Sequence, residues 1–138
     1  MKFSEVIGQE EVKDRLKQMV KENRLPHALL LCGPQGAGKM ALAMAFASYL
    51  LCKTHDEDDA CGHCSQCAML SKWAHPDLMF TYPVIRPAGT SSEHKMSSDD
   101  FINEWREMLT NGPYFTMNVW LQSMNAANQQ ALIGVGES

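Results

Sequence analysis

Gly33-Pro-Gln-Gly-Ala-Gly-Lys39 lies between a short apolar run, His27-Ala-Leu-Leu-Leu-Cys32, and a longer one that begins at Ala41. No other stretch restricts the fold as much. Its three glycines let the backbone curl until several N–H groups converge on one point. The run before them is bounded by Pro26 and Gly33 and reads as a buried parallel strand. The run after them, ALAMAFASYLLC, is apolar on nearly all sides and reads as a helix packed inside the domain. A helix starting at such a loop adds the positive end of its dipole, and Lys39 adds a cation. Strand, loop and helix together predict an α/β fold. Gly33, Pro34, Gln35, Gly36, Ala37, Gly38, Lys39 and Met40 are the candidate phosphate-binding residues.

One position departs from that pattern. A hydroxyl residue is needed after the lysine to ligate Mg²⁺, and Met40 stands there instead. A thioether offers no oxygen, and Mg²⁺ demands near-octahedral oxygen coordination. No apolar run ends in the paired carboxylates of a Walker B strand, and Asp77 precedes its run rather than following it. The loop is therefore expected to hold ATP or ADP only weakly, with Mg²⁺ ligation impaired. No catalytic residue emerges, and the chain is not expected to be an active ATPase.

Cys52, Cys61, Cys64 and Cys67 fall within sixteen residues of a polar, acidic stretch from 52 to 74. Four thiolates close a tetrahedral zinc site and stabilise a loop too small for a core of its own. Gly62 supplies the tight knuckle between two of them. Such a site leaves no open position, so it is structural. The C-x2-C-x2-C run also occurs in iron–sulfur motifs, though the Cys-Pro that follows there is absent here. Free or redox thiols are the other alternative. Disulfides do not suit an N-terminus without an apolar export signal. His55, His63 and His75 are possible substitute ligands but read as surface or loop residues. The acidic stretch from His55 to Asp59 reads as a solvated hairpin. Cys32, in its apolar run, reads as a small buried hydrophobe.

Elsewhere the pattern is coarser. Val12, Leu16, Met19 and Val20 recur at helical spacing within a helix over 9–23. Residues 78–84 and 131–135 read as strands, and 85–98 as the most mobile loop. Residues 99–111 read as a helix capped by Ser97 or Ser98 and stopped at Gly112, and 119–125 as a weaker one. Trp73, Trp105 and Trp120 read as core. The 138 residues suffice for one domain. A net charge of −4 argues against a broadly basic nucleic-acid module. No apolar run approaches about 18 residues, so nothing is expected to span a membrane, and a cytoplasmic location is expected.

Phe3-x-x-Val6-Ile7-Gly8-Gln9, Arg24-Leu25-Pro26-His27-Ala28, the Gly33–Lys39 loop, the four-cysteine insertion and His75-Pro76-Asp77 together resemble the N-terminal part of bacterial clamp-loader subunits. These are AAA+ P-loop proteins of the DNA polymerase III holoenzyme. Within that family Met40 favours a resemblance to the delta-prime kind over the gamma/tau ATPases, which carry Thr or Ser there. The resemblance implies a parallel-sheet core, truncated here before Walker B, with a zinc insertion over about 52–74. It implies Val6 and Ile7 beside the adenine, Lys39 on the phosphates, and Cys52, Cys61, Cys64 and Cys67 on zinc. It also implies gamma/tau and delta subunits as partners, with the sliding clamp and primed DNA reached through the complex. A gamma/tau-type motor, or an unrelated P-loop phosphotransferase with a structural zinc, are the alternative readings.

Such subunits are longer, which implies that these residues are an N-terminal portion. The strand at 28–32 would then lack its neighbours. It must pair elsewhere, for instance with 131–135, associate with a second chain, or stay partly disordered. Association is the expected outcome. Light scattering over a concentration series should show an average mass rising above that of one chain, and a strictly monomeric, cooperatively folded chain would contradict it.

Overall fold

The computed structural model describes residues 1–134. Contacts divide the chain into two compact units, Met1–His75 and the residues from Pro76 onward.

The first unit is organised around one apolar helix. A 3-10 turn, Phe3–Glu5, is followed by helix α1 (Glu10–Lys21), helix α2 (Lys39–Leu51) and the short helix α3 (Ser65–Leu70). Helix α1 follows the stripe expected of it. Leu16 is buried, and Val12, Met19 and Val20 pack partly buried against the core. It begins after Gly8 and Gln9, both in the left-handed region, at φ 65° and 62°. It ends in a Schellman arrangement, with the Asn23 and Arg24 amides donating to the Val20 and Met19 carbonyls. Asn23, at φ 53°, occupies the left-handed position that glycine usually fills.

Helix α2 starts where the glycine loop ends. Ala41, Leu42, Met44, Ala45, Phe46 and Tyr49 are buried along it. Phe3, Val6 and Leu16 complete that core. Lys13 is also buried, and its ammonium is satisfied at 2.7 Å by the Val6 carbonyl and at 2.7 Å by the Glu10 carboxylate.

The expected parallel-sheet core is not present among the described residues. Residues 27–32 form no strand, with Leu30 83 % exposed and Cys32 exposed instead of buried. The physical reason is pairing. A central strand must satisfy its N–H and C=O groups on both sides, and no described segment lies in register beside this one. Residues 78–84 form no strand either. One antiparallel bridge joins Val84 to Leu132, through amide-to-carbonyl bonds of 3.0 Å in both directions. Residues 131–135 were expected as a strand and as a possible partner for 28–32. Leu132 pairs with Val84 instead, and Val135 lies outside the described residues.

The second unit is built on aromatic rings. The 3-10 turn Ser98–Phe101 runs into helix α4 (Ile102–Asn111), and helix α5 (Met117–Ser123) follows. Ser97 forms a capping box with Asp100, and Thr116 caps α5 by accepting from the Val119 amide. Ser98, the other expected cap, is buried. Its hydroxyl accepts from the Tyr82 amide at 3.0 Å, while the Tyr82 hydroxyl donates to its carbonyl. Tyr82 stacks on Trp105 with centroids 4.1 Å apart. Trp120 meets both rings edge-on, at 5.1 and 5.0 Å, and donates its indole N–H to the Pro83 carbonyl at 2.7 Å. In the loop expected to be most mobile, the Arg86 guanidinium donates to the Ser91 and His94 carbonyls.

Trp120→Ala removes the ring on which this unit closes. It should cost about 3–5 kcal/mol of stability, read as an earlier urea transition for the second unit.

Candidate metal centre and glycine loop

The acidic segment and α3 bring the four cysteines together. Their sulfur atoms all lie within 4.8 Å of one another. Cys52 and Cys64 are 3.9 Å apart and Cys61 and Cys67 3.8 Å. A tetrahedral zinc with Zn–S bonds of about 2.3 Å requires sulfur separations of about 3.8 Å. The donor set and its spacing therefore fit zinc.

The backbone is turned toward the sulfurs. The Cys61 amide donates to the Cys52 sulfur at 3.3 Å, the Cys64 and His63 amides to Cys61 at 3.3 and 3.5 Å, and the Cys67 amide to Cys64 at 3.5 Å. Hydrogen bonds of this kind favour the thiolate. The Cys61 thiol is brought down to about 5, first by a hydrogen bond from the Thr54 side chain and then by the His63 amide. Cys64 is lowered by the Cys67 and Lys53 amides. Burial pushes the Cys67 thiol up to about 12. A coordinating cation deprotonates such a thiol outright.

Gly62 holds the turn between Cys61 and Cys64 at φ +79°. A Cβ there would lie 2.7 Å from the Lys2 Cε, so the flexible end of Lys2 would have to move aside. Lys2 crosses the knuckle to donate its ammonium to the Cys61 carbonyl at 3.3 Å.

His55 and His63 are exposed, as expected of loop residues. His75 is not. It is 5 % exposed, with its Nε2 against the Gln66 side chain. None of the three joins the sulfur cluster.

The acidic segment differs most from expectation. It is tied down rather than merely solvated. The Asp59 carboxylate accepts from the Phe3 amide at 2.8 Å, the Ser4 amide at 3.0 Å and the Ser4 hydroxyl at 2.8 Å. Burial raises its pKa, but the bonds from Ser4 and Phe3 outweigh that and hold it below the ordinary value. Asp56 accepts from the Asp58 and Asp59 amides, which lower it too. The Tyr49 hydroxyl donates to the Asp56 carbonyl. No sequence signal pointed to Asp59, since its partners lie more than fifty residues away in the chain.

The glycine loop is the second candidate site. Gly36 and Gly38 take φ of 83° and 76°. No side chain caps the α2 N-terminus at Gly38. Lys39 folds back so that its ammonium donates to the Gly33 and Pro34 carbonyls, at 2.8 and 2.7 Å. Gly33, Pro34, Gln35 and Gly36 are exposed, while Ala37, Gly38, Lys39 and Met40 are half-buried. Val6 and Ile7 part company: Val6 is buried in the core, and Ile7 is 80 % exposed. The direct link from this N-terminal segment to the loop is Gln9, whose side-chain amide donates to the Ala37 carbonyl at 3.2 Å. A groove of about 330 Å³ opens beside the loop, lined in part by Val12, Leu29, Leu31, Cys32 and Lys39.

A family model described as the DNA polymerase III delta subunit matches residues 8–120, which include both the glycine loop and the cysteines. The chain belongs to that family.

Subunits of several bacteria are similar to this chain. It is 31 % identical over 112 residues to the DNA polymerase III subunit tau/gamma of Haemophilus influenzae, covering 81 % of this chain and 14 % of that protein. It is 46 % identical over 57 residues to the DNA polymerase III subunit delta' of Pseudomonas aeruginosa, covering 41 % of this chain and 17 % of that one. The tau subunit of Bacillus subtilis is 30 % identical over 78 residues, or 56 % of this chain and 14 % of that subunit. The chain thus spans less than a fifth of the relatives it matches. No solved structure matches it. Among the described residues no helix is long and apolar enough to cross a membrane.

Gly62→Ala should strain the knuckle by about 1–2 kcal/mol. Competition against a chromophoric chelator should show zinc affinity falling by roughly tenfold.

Proposed function

We propose that this chain is the glycine-loop and zinc-bearing portion of a clamp-loader subunit of the delta-prime kind. It works in the cytoplasm beside gamma/tau and delta subunits, and the complex loads a sliding clamp onto primed DNA at the expense of ATP. Membership of the DNA polymerase III delta subunit family supports the setting. The observation that carries the finer reading is Met40, directly after Lys39 and twelve residues ahead of the first clustered cysteine.

The chemistry of each site follows from its residues. Cys52, Cys61, Cys64 and Cys67 would hold a structural zinc, which supplies the loop with the cohesion its few apolar residues do not. At the glycine loop, the amides that open α2 and the Lys39 ammonium suit a phosphate. To meet one, Lys39 exchanges two carbonyl acceptors for a charged one, which gives a stronger hydrogen bond. Ile7, which is exposed, would lie against the base, while Val6, buried in the core, would hold the segment in place. Mg²⁺ does not fit, since Met40 has no oxygen to offer. The chain would act on its partners as a support, leaving turnover to neighbouring subunits.

The gamma/tau reading draws on the match to the Haemophilus influenzae subunit, which covers most of this chain. Met40 weighs against it. Family membership weighs against a small-molecule phosphotransferase.

Lys39→Ala separates the two remaining readings. In a reconstituted complex it should leave ATP turnover within about twofold of the unaltered complex, because the other subunits supply it. Loss of turnover would favour the motor. On the isolated chain, titration calorimetry should show ADP binding without dependence on Mg²⁺, lost in Lys39→Ala. Met40→Thr should make that binding tighten with Mg²⁺.

A further inference from the structure

The N-terminal residues of the first unit close onto the cysteine loop. Lys2 lies across Gly62 and donates to the Cys61 carbonyl. Both oxygens of Asp59 receive the next two residues, Phe3 and Ser4, through two amides and a hydroxyl at 2.8 to 3.0 Å. Asp59 is fixed in turn, since its own amide donates to the Asp56 carboxylate at 2.7 Å. It precedes the ligand Cys61 by two residues. The clasped segment then enters the core at Phe3, whose ring lies 5.5 Å from Tyr49 and 6.4 Å from Phe46. It continues through Val6, whose carbonyl is taken by Lys13. It reaches Gln9, which bonds the Ala37 carbonyl within the glycine loop.

We infer that the metal loop positions the N-terminal segment that runs to the glycine loop, with Asp59 as the positioning residue. The inference rests on the reading that the four cysteines hold zinc. Residues 52–67 have little apolar content beyond the cysteines and Ala60. Without the metal the sulfurs no longer hold Cys61 and Gly62 under Lys2, and Asp59 keeps local ties, such as that from its amide to the Asp56 carboxylate, in place of an anchored loop. Loading the cysteines therefore orders a segment that contributes no ligand to the metal. Because the segment also bonds the glycine loop, metal occupancy and anion occupancy are linked, and each must favour the other by the same factor.

Lys17 and Lys21 reach the same acidic loop, at 3.8 Å from Asp58 and 3.2 Å from Glu57. These pairs involve exposed carboxylates and hold little. That contrast supplies the control, because Asp58→Asn removes a neighbouring charge without touching the clasp.

Hydrogen exchange on the whole zinc-loaded chain tests the inference at single amides. Asp59→Asn should keep one zinc and normal protection in α2, yet speed exchange at Phe3 and Ser4 by about tenfold or more, as loss of a charge-assisted bond implies. Asp58→Asn should leave both amides unchanged. Chelating zinc from the unaltered chain should produce the Asp59→Asn pattern at Phe3 and Ser4, and calorimetry should show weaker inorganic phosphate binding in both cases. Loss of α2 protection in Asp59→Asn would overturn a positioning role and assign the residue to global stability. A chain that binds one zinc but keeps Phe3 and Ser4 protected after chelation overturns the inference alone. A chain that binds no zinc overturns it together with the zinc reading.

Discussion

Helix α2 has no consistent polar face, and that fact governs the first unit. An isolated helix of thirteen residues is marginal in water, so its stability must come from what covers it. Three separate pieces do so. The turn at Phe3–Glu5, helix α1 and helix α3 each pack on it. Ala41 and Ala45, both without measurable exposure, let those pieces approach closely. Two of these pieces border a candidate site: the turn leads on to Gln9, which bonds the glycine loop, and α3 follows directly on Cys64. Helix α2 itself runs from Lys39 to Leu51, just ahead of Cys52.

What was legible in the sequence was what short-range chemistry decides. Helix α2 announced itself by an unbroken apolar run, and α1 by a stripe at helical spacing. The cysteine cluster was visible because its members lie within sixteen residues of one another, where spacing alone brings the sulfurs together. Trp105 and Trp120 were legible as core by residue type, though not as a stack with Tyr82. The expected strands failed for the opposite reason. A strand is a property of two segments, and the apolar pattern at 27–32 describes only one of them. Leu30 and Cys32 were assigned to an interior that requires neighbours, and without those neighbours they face outward. Asp59 was illegible on similar grounds: a run of acids reads as solvated until its distant partners are placed.

The two sites differ in how much the chain itself determines. At the cysteines, four sulfurs within 4.8 Å of one another could hold a metal ion, and their spacing is consistent with zinc. At the glycine loop the left-handed glycines, the helix terminus and Lys39 suit a phosphate, while Met40 denies the metal that usually accompanies it.

The aromatic cluster of the second unit has an optical consequence. Trp105 and Trp120 sit with centroids 5.0 Å apart and planes at 85°, and Tyr82 lies against both. Transition dipoles that close and fixed at such an angle couple, and the chain should show a strong near-ultraviolet circular dichroism that vanishes when the rings separate. The dichroic band would report these packed rings of the second unit, and sulfur-to-metal absorption of a cobalt-substituted chain would report the first, so one cuvette could follow both.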